Sequence, residues 1–205
     1  GIGSRRFDVA LDTIQSGTRQ EVDIFTVNGR PFLQMAGFGP DARIIKLITP
    51  RLKKHLGPAA HIFTGLHVAM QNHPIISMTL PNGKTYTGTQ IILGNGKRYG
   101  GEAHLFADAT IDDGRLDAAV IDQESLGILF EVMGLIVSKG ATKHNVSDFT
   151  KLCRIKSCTI TADGKLPYHL DGDYAGTLEP GDELRIERLP ELAYLHLKRS
   201  GSLTR

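Results

Sequence analysis

The sequence predicts a mainly β protein with a few helices, an α+β chain built as an antiparallel β-sandwich. Short runs of β-type residues dominate it. Asn-Gly, Asp-Gly and Pro-Gly turn pairs separate those runs about every ten residues, the spacing of a sandwich or barrel. No strand alternates with a helix in the βαβ manner of a parallel sheet. The 205 residues are enough for one good core or two small ones. No repeat, low-complexity tract or linker divides the chain, so a single domain is expected over residues 1–205, with 198–205 as a frayed tail.

Helix is expected first in "RFDVALDTIQSG", which stops at Gly17. "QEVDIFTVNGRPFLQMAGFG" predicts two strands around Asn28-Gly29. A basic helix follows in "PDARIIKLITPRLKKHLG", interrupted by Pro50. "PIISMTLPNGKTYTGTQIILGNG" predicts two more strands around Asn82-Gly83, with Ile76, Met78 and Leu80 alternating with polar residues. "RLDAAVID" is a strand, and "QESLGILFEVMGLIVSKG" has helical spacing up to Gly140. The last third holds strand-sized runs punctuated by Asp163-Gly164, Asp171-Gly172 and Pro180-Gly181.

Composition narrows the function. Lys plus Arg number 24 against 22 Asp plus Glu, a net charge of +2 that is too balanced to imply a nucleic-acid partner. Cys153 and Cys158 match no zinc or redox spacing and are expected as small buried or half-buried residues on a loop entering a strand, in a reducing compartment. The longest apolar run, "LGILFEVMGLIV", is too short to span a bilayer. "GIGSRRF" lacks the apolar region of a signal peptide, and the missing initiator Met is what a fragment or processed product would show. The residues beside the apolar side of 43–57 are Arg and Lys, which suits either an anionic membrane surface or the solvated face of a packed helix.

Three stretches invite chemistry. In "GNGKRYGG" the glycines suggest a phosphate cradle, but no Walker spacing or following helix supports it, and a tight turn or bulge is the commoner origin of such a run. "TIDDGRLD" crowds Asp112, Asp113 and Asp117 around Gly114, a hard-cation chemistry or a simple Asp-Gly turn. "QMAGFGPDARI" allows close backbone approach at Gly37 and Gly39 and opens a helix at Pro40-Asp41. "YHLDGDYAG" sets Asp171 and Asp173 on either side of a glycine, which serves a hairpin turn or a reacting carboxylate.

Taken in order, these pieces resemble the diacylglycerol kinase-like lipid kinase family of bacterial type, which has sphingosine kinases as relatives. "VNGRPFLQMAGFGPDA" is similar to its N-x-x-G-x-G-x-D-A segment. "GNGKRYGGEAHLFADATIDDGRLDAAVI" is similar to its G-N-G-x-x-Y-G-G-G…D-D-G-x-L-D segment, "LPYHLDGDYAG" to its D-G-E motif, and "LRIERLPELAYLHL" to its closing strand. The departures are Gln34 for Asn, Glu102 for the third glycine, Ala107 for a common proline and Asp173 for Glu. The family's N-terminal G-G-D-G-T nucleotide-binding motif has no counterpart here.

The resemblance implies the lipid-acceptor half of an ATP-dependent kinase that phosphorylates a diacylglycerol-like hydroxyl, or a non-catalytic lipid-binding or regulatory sandwich that kept the fold. A relative of the soluble NAD kinases is the weaker match. By position, Asp171 is implied as the general base and Asp173 as its support. A structural Mg2+ is implied at the carbonyls of Thr110 and Arg115 and the carboxylate of Asp113. The implied partners are a membrane lipid and a nucleotide-binding domain in cis or on another chain; a homodimer is compatible. The implied setting is cytoplasmic and peripheral at the membrane. A lone 205-residue chain is expected to be inactive.

Overall fold

The computed structural model describes residues 7–47, 68, 71–99, 103–106, 108–124 and 151–197. The expected basic helix beyond Leu47, most of the helix expected before Gly140, and the tail 198–205 lie outside the described residues.

Two six-stranded sheets face each other, and every strand pairing among the described residues is antiparallel. The first contains, in spatial order, β2 (Arg30–Phe32), β1 (Thr18–Val27), β14 (Leu184–Leu197), β11 (Cys158–Ala162), β4 (Ile76–Thr79) and β5 (Thr85–Gly88). The second runs β10 (Lys151–Ile155), β9 (Leu116–Ile121), β6 (Gln90–Gly94), β3 (Met35–Phe38), β12 (Leu166–Leu170) and β13 (Asp173–Leu178). A short ribbon joins β7 (Arg98–Tyr99) to β8 (Ala103–His104). Helix α1 (Phe7–Ser16) precedes β1, and α2 (Pro40–Leu47) follows β3 and packs on β12 and β13.

Two expectations need correction. The stretch expected as two strands around Asn28-Gly29 forms three. The hairpin itself is present: Asn28 and Gly29 have φ of 48° and 80°, a primed two-residue turn, and Val27 pairs with Arg30. The second run then breaks at Leu33-Gln34 and moves to the other sheet as β3. The stretch around Asn82-Gly83 likewise gives three strands, because the chain leaves the first sheet after Gly88 and re-enters as β6 in the second. Asp163-Gly164 and Pro180-Gly181 are also crossings between sheets.

The core explains the strand patterns. Phe25, Val27, Phe32, Ile76, Met78, Ile160 and Ile186 from the first sheet meet Phe38, Ile91, Leu93, Leu116, Val120 and Leu166 from the second. Strand β4 alternates buried and half-buried residues, as a strand with one covered face should. Strand β6 is buried throughout, because Ile92 turns to a second cluster with Met35, Tyr99, Leu105, Phe106 and Ile121. A strand covered on both faces carries a continuous apolar run, which is the origin of "QIIL".

Candidate functional site

Strands β12 and β13 form the hairpin that presents Asp171. Leu170 pairs with Asp173, so the connection is the two residues Asp171 and Gly172, with φ of 51° and 87°. Both torsions lie in the left-handed region that a type I′ turn requires, where Asp is tolerated and Gly costs nothing. Strand β12 therefore ends at Leu170, and Asp173 does not follow Asp171 along one face as a continuing strand would place it. Asp173 is exposed and opens β13, across the turn.

The Asp171 carboxylate reaches back over the crossing from β2 to β3. Its Oδ2 accepts the Leu33 N–H at 2.9 Å, and its Oδ1 accepts those of Gln34 and Met35 at 2.8 and 2.9 Å. The Asp171 N–H donates in return to the Met35 carbonyl at 2.8 Å. The turn and the crossing loop are thus locked reciprocally. A carboxylate has about four lone-pair sites, and the fourth remains for a further donor.

The crossing loop continues into the glycine-rich segment. Gln34 donates from Nε2 to the Arg98 carbonyl at 3.1 Å, and its own carbonyl accepts the Asn95 N–H at 2.9 Å. The buried Asn95 amide donates to the carbonyls of Leu33 at 2.9 Å and Asp23 at 3.0 Å. "GNG" is accordingly a turn whose asparagine ties three segments together.

Asp23 carries the connection to "TIDDGR". Its carboxylate is fully buried, and it receives the Gly114 N–H on Oδ2 and the Arg188 guanidinium on Oδ1, the latter at 2.6 Å. Its N–H donates to the Ile111 carbonyl at 2.8 Å. Within that loop Asp113 accepts the Thr110 hydroxyl at 2.8 Å and the Arg115 N–H at 3.0 Å, with Arg154 at 3.7 Å. Thr110, Asp113 and Arg115 therefore come together in one turn, and that turn connects with Asp171 through Asp23, Asn95 and Leu33. The oxygen set of one carboxylate and two carbonyls has the chemistry of a hard-cation site. Arg154 already supplies part of the countercharge. Among the described residues no cluster of three or more His, Cys, Asp or Glu side chains could hold a metal.

A second buried polar group lies under the Asp171 turn. His169 Nε2 is 3.0 Å from Asp41 Oδ2, the Tyr99 hydroxyl donates to the same oxygen at 3.5 Å, and Gln90 Oε1 accepts the Asp41 N–H at 3.0 Å. Burial first, and then the Asp41 carboxylate, hold the Tyr99 phenol well above its usual range. On the outer side of α2, Lys46 lies over the Tyr174 ring at 4.8 Å and donates to its hydroxyl at 3.2 Å.

Asp23, Arg188, Asn95, Asp41 and His169 were not singled out by the sequence as site residues. "GPDA" and "YHLDG" contain two of them, but nothing local announces that they meet. An open pocket of about 530 Å³ lies between Asn28, Tyr168, Thr177 and the 181–184 loop, away from Asp171. No helix among the described residues is long and apolar enough to cross a membrane.

The two antiparallel sheets, with a carboxylate turn at the end of one and an Asp-rich loop tied to it, define a β-sandwich of the kind found in the C-terminal part of diacylglycerol kinase-like proteins. Residues 37–191, more than half of the chain, match the YegS C-terminal NAD kinase beta sandwich-like domain, and the chain belongs to that family. It is 28% identical over 181 residues to the diacylglycerol kinase of Staphylococcus aureus strains JH9, Newman and COL, covering 87% of this chain and 56% of the relative. A crystal structure of a diacylglycerol kinase from Bacillus anthracis strain Sterne superposes with a TM-score of 0.57 at 19% identity, covering 88% of this chain and 54% of that one. Another from the same organism, provisionally named a diacylglycerol kinase, gives 0.61 at 20% identity, covering 88% and 58%. The chain thus spans a little over half the length of these proteins.

Proposed function

We propose that this chain is the lipid-acceptor part of an ATP-dependent lipid kinase, with Asp171 taking the proton of a diacylglycerol-type hydroxyl. The observation that carries the reading is the Asp171 carboxylate itself. It stands on a two-residue turn at the end of a sheet, fixed by three backbone N–H groups, with one lone-pair site left for a donor. Phosphoryl transfer asks of the protein mainly position and electrostatics, and a base held this rigidly suits the hydroxyl it must orient. The D-G-D turn falls in the family's D-G-E position, and relatives of the chain carry the name diacylglycerol kinase.

Asp173 is assigned a supporting role from across the turn. ATP would be held mainly by a nucleotide-binding domain in the remainder of the protein, and the lipid would be met at a membrane surface in the cytoplasm. Mg2+ is assigned to Asp113 with the carbonyls of Thr110 and Arg115, where it would add charge neutralisation to what Arg154 supplies and stiffen the loop tied to Asp23.

One observation favours a second reading. The same three N–H bonds could make Asp171 a purely structural anion in a lipid-binding sandwich without catalysis. The test is phosphate transfer from labelled ATP to diacylglycerol in mixed micelles by the complete protein carrying this chain. Asp171→Asn should lower kcat by about 10²- to 10⁴-fold with lipid KM nearly unchanged. Asp173→Asn should cost less, and the isolated 205-residue chain should show no transfer. Full kcat in both variants would leave the structural reading. For the cation, Asp113→Ala should abolish any Mg2+-dependent rise in melting temperature; a response unchanged by the substitution would remove Mg2+ from this loop.

A further inference from the structure

His169 lies on β12 two residues before Asp171, and its ring bridges two elements. Nε2 faces Asp41 Oδ2 at 3.0 Å, while Nδ1 lies 3.3 Å from the N–H of Gly172, the second turn residue. A backbone N–H can only donate, so Nδ1 accepts and the ring proton sits on Nε2, aimed at Asp41. Both side chains are almost fully enclosed, His169 at 2% and Asp41 at 4% exposure. The contact needs Gly37, because a Cβ there would land on Asp41 Oδ2 and His169 Nε2.

The pairing of β12 with β13 is irregular at this point. Tyr168 pairs with Gly176 but His169 with Tyr174, leaving Ala175 as the extra residue of a bulge. A bulge bends the strand that carries it and re-aims the hairpin tip beyond it. An Asp-Gly turn forms readily without help from a buried ring. A buried carboxylate–imidazole pair also gives no general stability advantage over apolar residues of similar volume. Its distinctive action is to fix where the tip points.

We infer that Asp41 and His169 are positioning residues for Asp171. Asp41 holds the ring in its Nε2–H tautomer, and Nδ1 is thereby left to accept from Gly172. That bond sets the turn so that the Asp171 carboxylate meets the N–H groups of Leu33, Gln34 and Met35. The catalytic part of this inference rests on the reading of Asp171 as the acceptor base; the geometric part does not.

Asp41→Asn tests it with almost no change of shape. Asp41 Oδ1 accepts the Ala42 N–H at 2.6 Å, which obliges an asparagine to keep its oxygen there and turn its NH2 toward His169. The ring must then accept at Nε2 and carry its proton on Nδ1, where it confronts the Gly172 N–H. In the 205-residue chain, side-chain 15N spectra should show an Nε2–H tautomer for His169 in wild type and Nδ1–H in the variant. Amide exchange at residues 33–35 should rise about tenfold or more.

In the complete protein, kcat on diacylglycerol should fall about 10- to 100-fold with KM within twofold, since misplacement without lost contact acts on the transition state. His169→Asn, which can keep an acceptor for Gly172, should lose less kcat than His169→Gln, which cannot. A wild-type Nδ1–H tautomer, or a flipped tautomer with unchanged exchange at 33–35, would overturn the positioning role. So would a variant less stable but equal in kcat. A wild-type protein that transfers no phosphate to lipid would sink the kinase reading alone, and the spectra and exchange would still decide the pair.

Discussion

Replacing Asp171 by alanine, glycine and asparagine separates what its carboxylate does from what its backbone does. The three N–H groups it binds are unequal: those of Leu33 and Gln34 are exposed enough for water to replace the lost acceptor, whereas the Met35 bond is partly buried. A hydrogen bond to a charged group is worth about 1.5–3 kcal/mol, and the two exposed ones add a few tenths each once water competes. Loss of the carboxylate in Asp171→Gly should therefore cost about 2–3 kcal/mol. Asp171→Ala adds the left-handed penalty at φ 51°, about 1 kcal/mol more. Asn tolerates that φ and keeps an oxygen for Gln34 and Met35, so it should cost about 1 kcal/mol. Urea unfolding of the 205-residue chain, followed by circular dichroism at neutral pH, reads these differences as shifts in midpoint at constant slope. An alanine variant within 0.5 kcal/mol of wild type, or an asparagine variant as unstable as alanine, would refute the claim that the carboxylate holds the crossing loop.

Arg188→Met should cost about 3 kcal/mol in the same assay, because it strands the fully buried Asp23 carboxylate; adding Asp23→Asn should restore most of it, and additive losses would show the pair to be uncoupled. Burial first, and then the neighbouring Cys153, push the Cys158 thiol up to about 12 from 9.0. A raised thiol pKa stabilises the fold below pH 9 and loses that contribution as pH rises toward 12. Cys158→Ala should flatten the alkaline limb of the stability curve, and an unchanged limb would disprove the linkage.

Turn chemistry was the most legible part of the fold. Asn28-Gly29 and Asp171-Gly172 supply the positive φ that two-residue hairpins demand, and they form such hairpins. The alternation of Ile76 and Met78 correctly marked a strand with one covered face. Sheet membership was not legible, because the break at Leu33-Gln34 contains neither Gly nor Pro and is held open by a carboxylate 137 residues away. In the site, local composition singled out the Asp-Gly stretches at 112–114 and 171–172 but left them open between turn and chemistry, and the roles of Asp171 and Asp113 came from the family resemblance alone. Their supports were hidden by distance along the chain: Arg188 is 165 residues from Asp23, and His169 is 128 from Asp41. Pattern reading sees neighbours in sequence, and buried polar pairs of this kind are settled only when the sheets close.

Strand β14 sits inside the first sheet, between β1 and β11, although it is the last strand described. A ribosome therefore emits both of its neighbours before the strand that joins them, β1 by most of the chain and β11 by a short stretch. Until residues 184–197 emerge, that sheet exists only as the pieces β2-β1 and β11-β4-β5, with the inner edges of β1 and β11 unpaired. Open edges of this kind template pairing with other chains, and nascent chains add only about 5–20 residues each second. Translation that stops short of Leu184 would yield a product able to keep much of the second sheet yet adhesive along the first, a natural client for chaperones that shield strand edges.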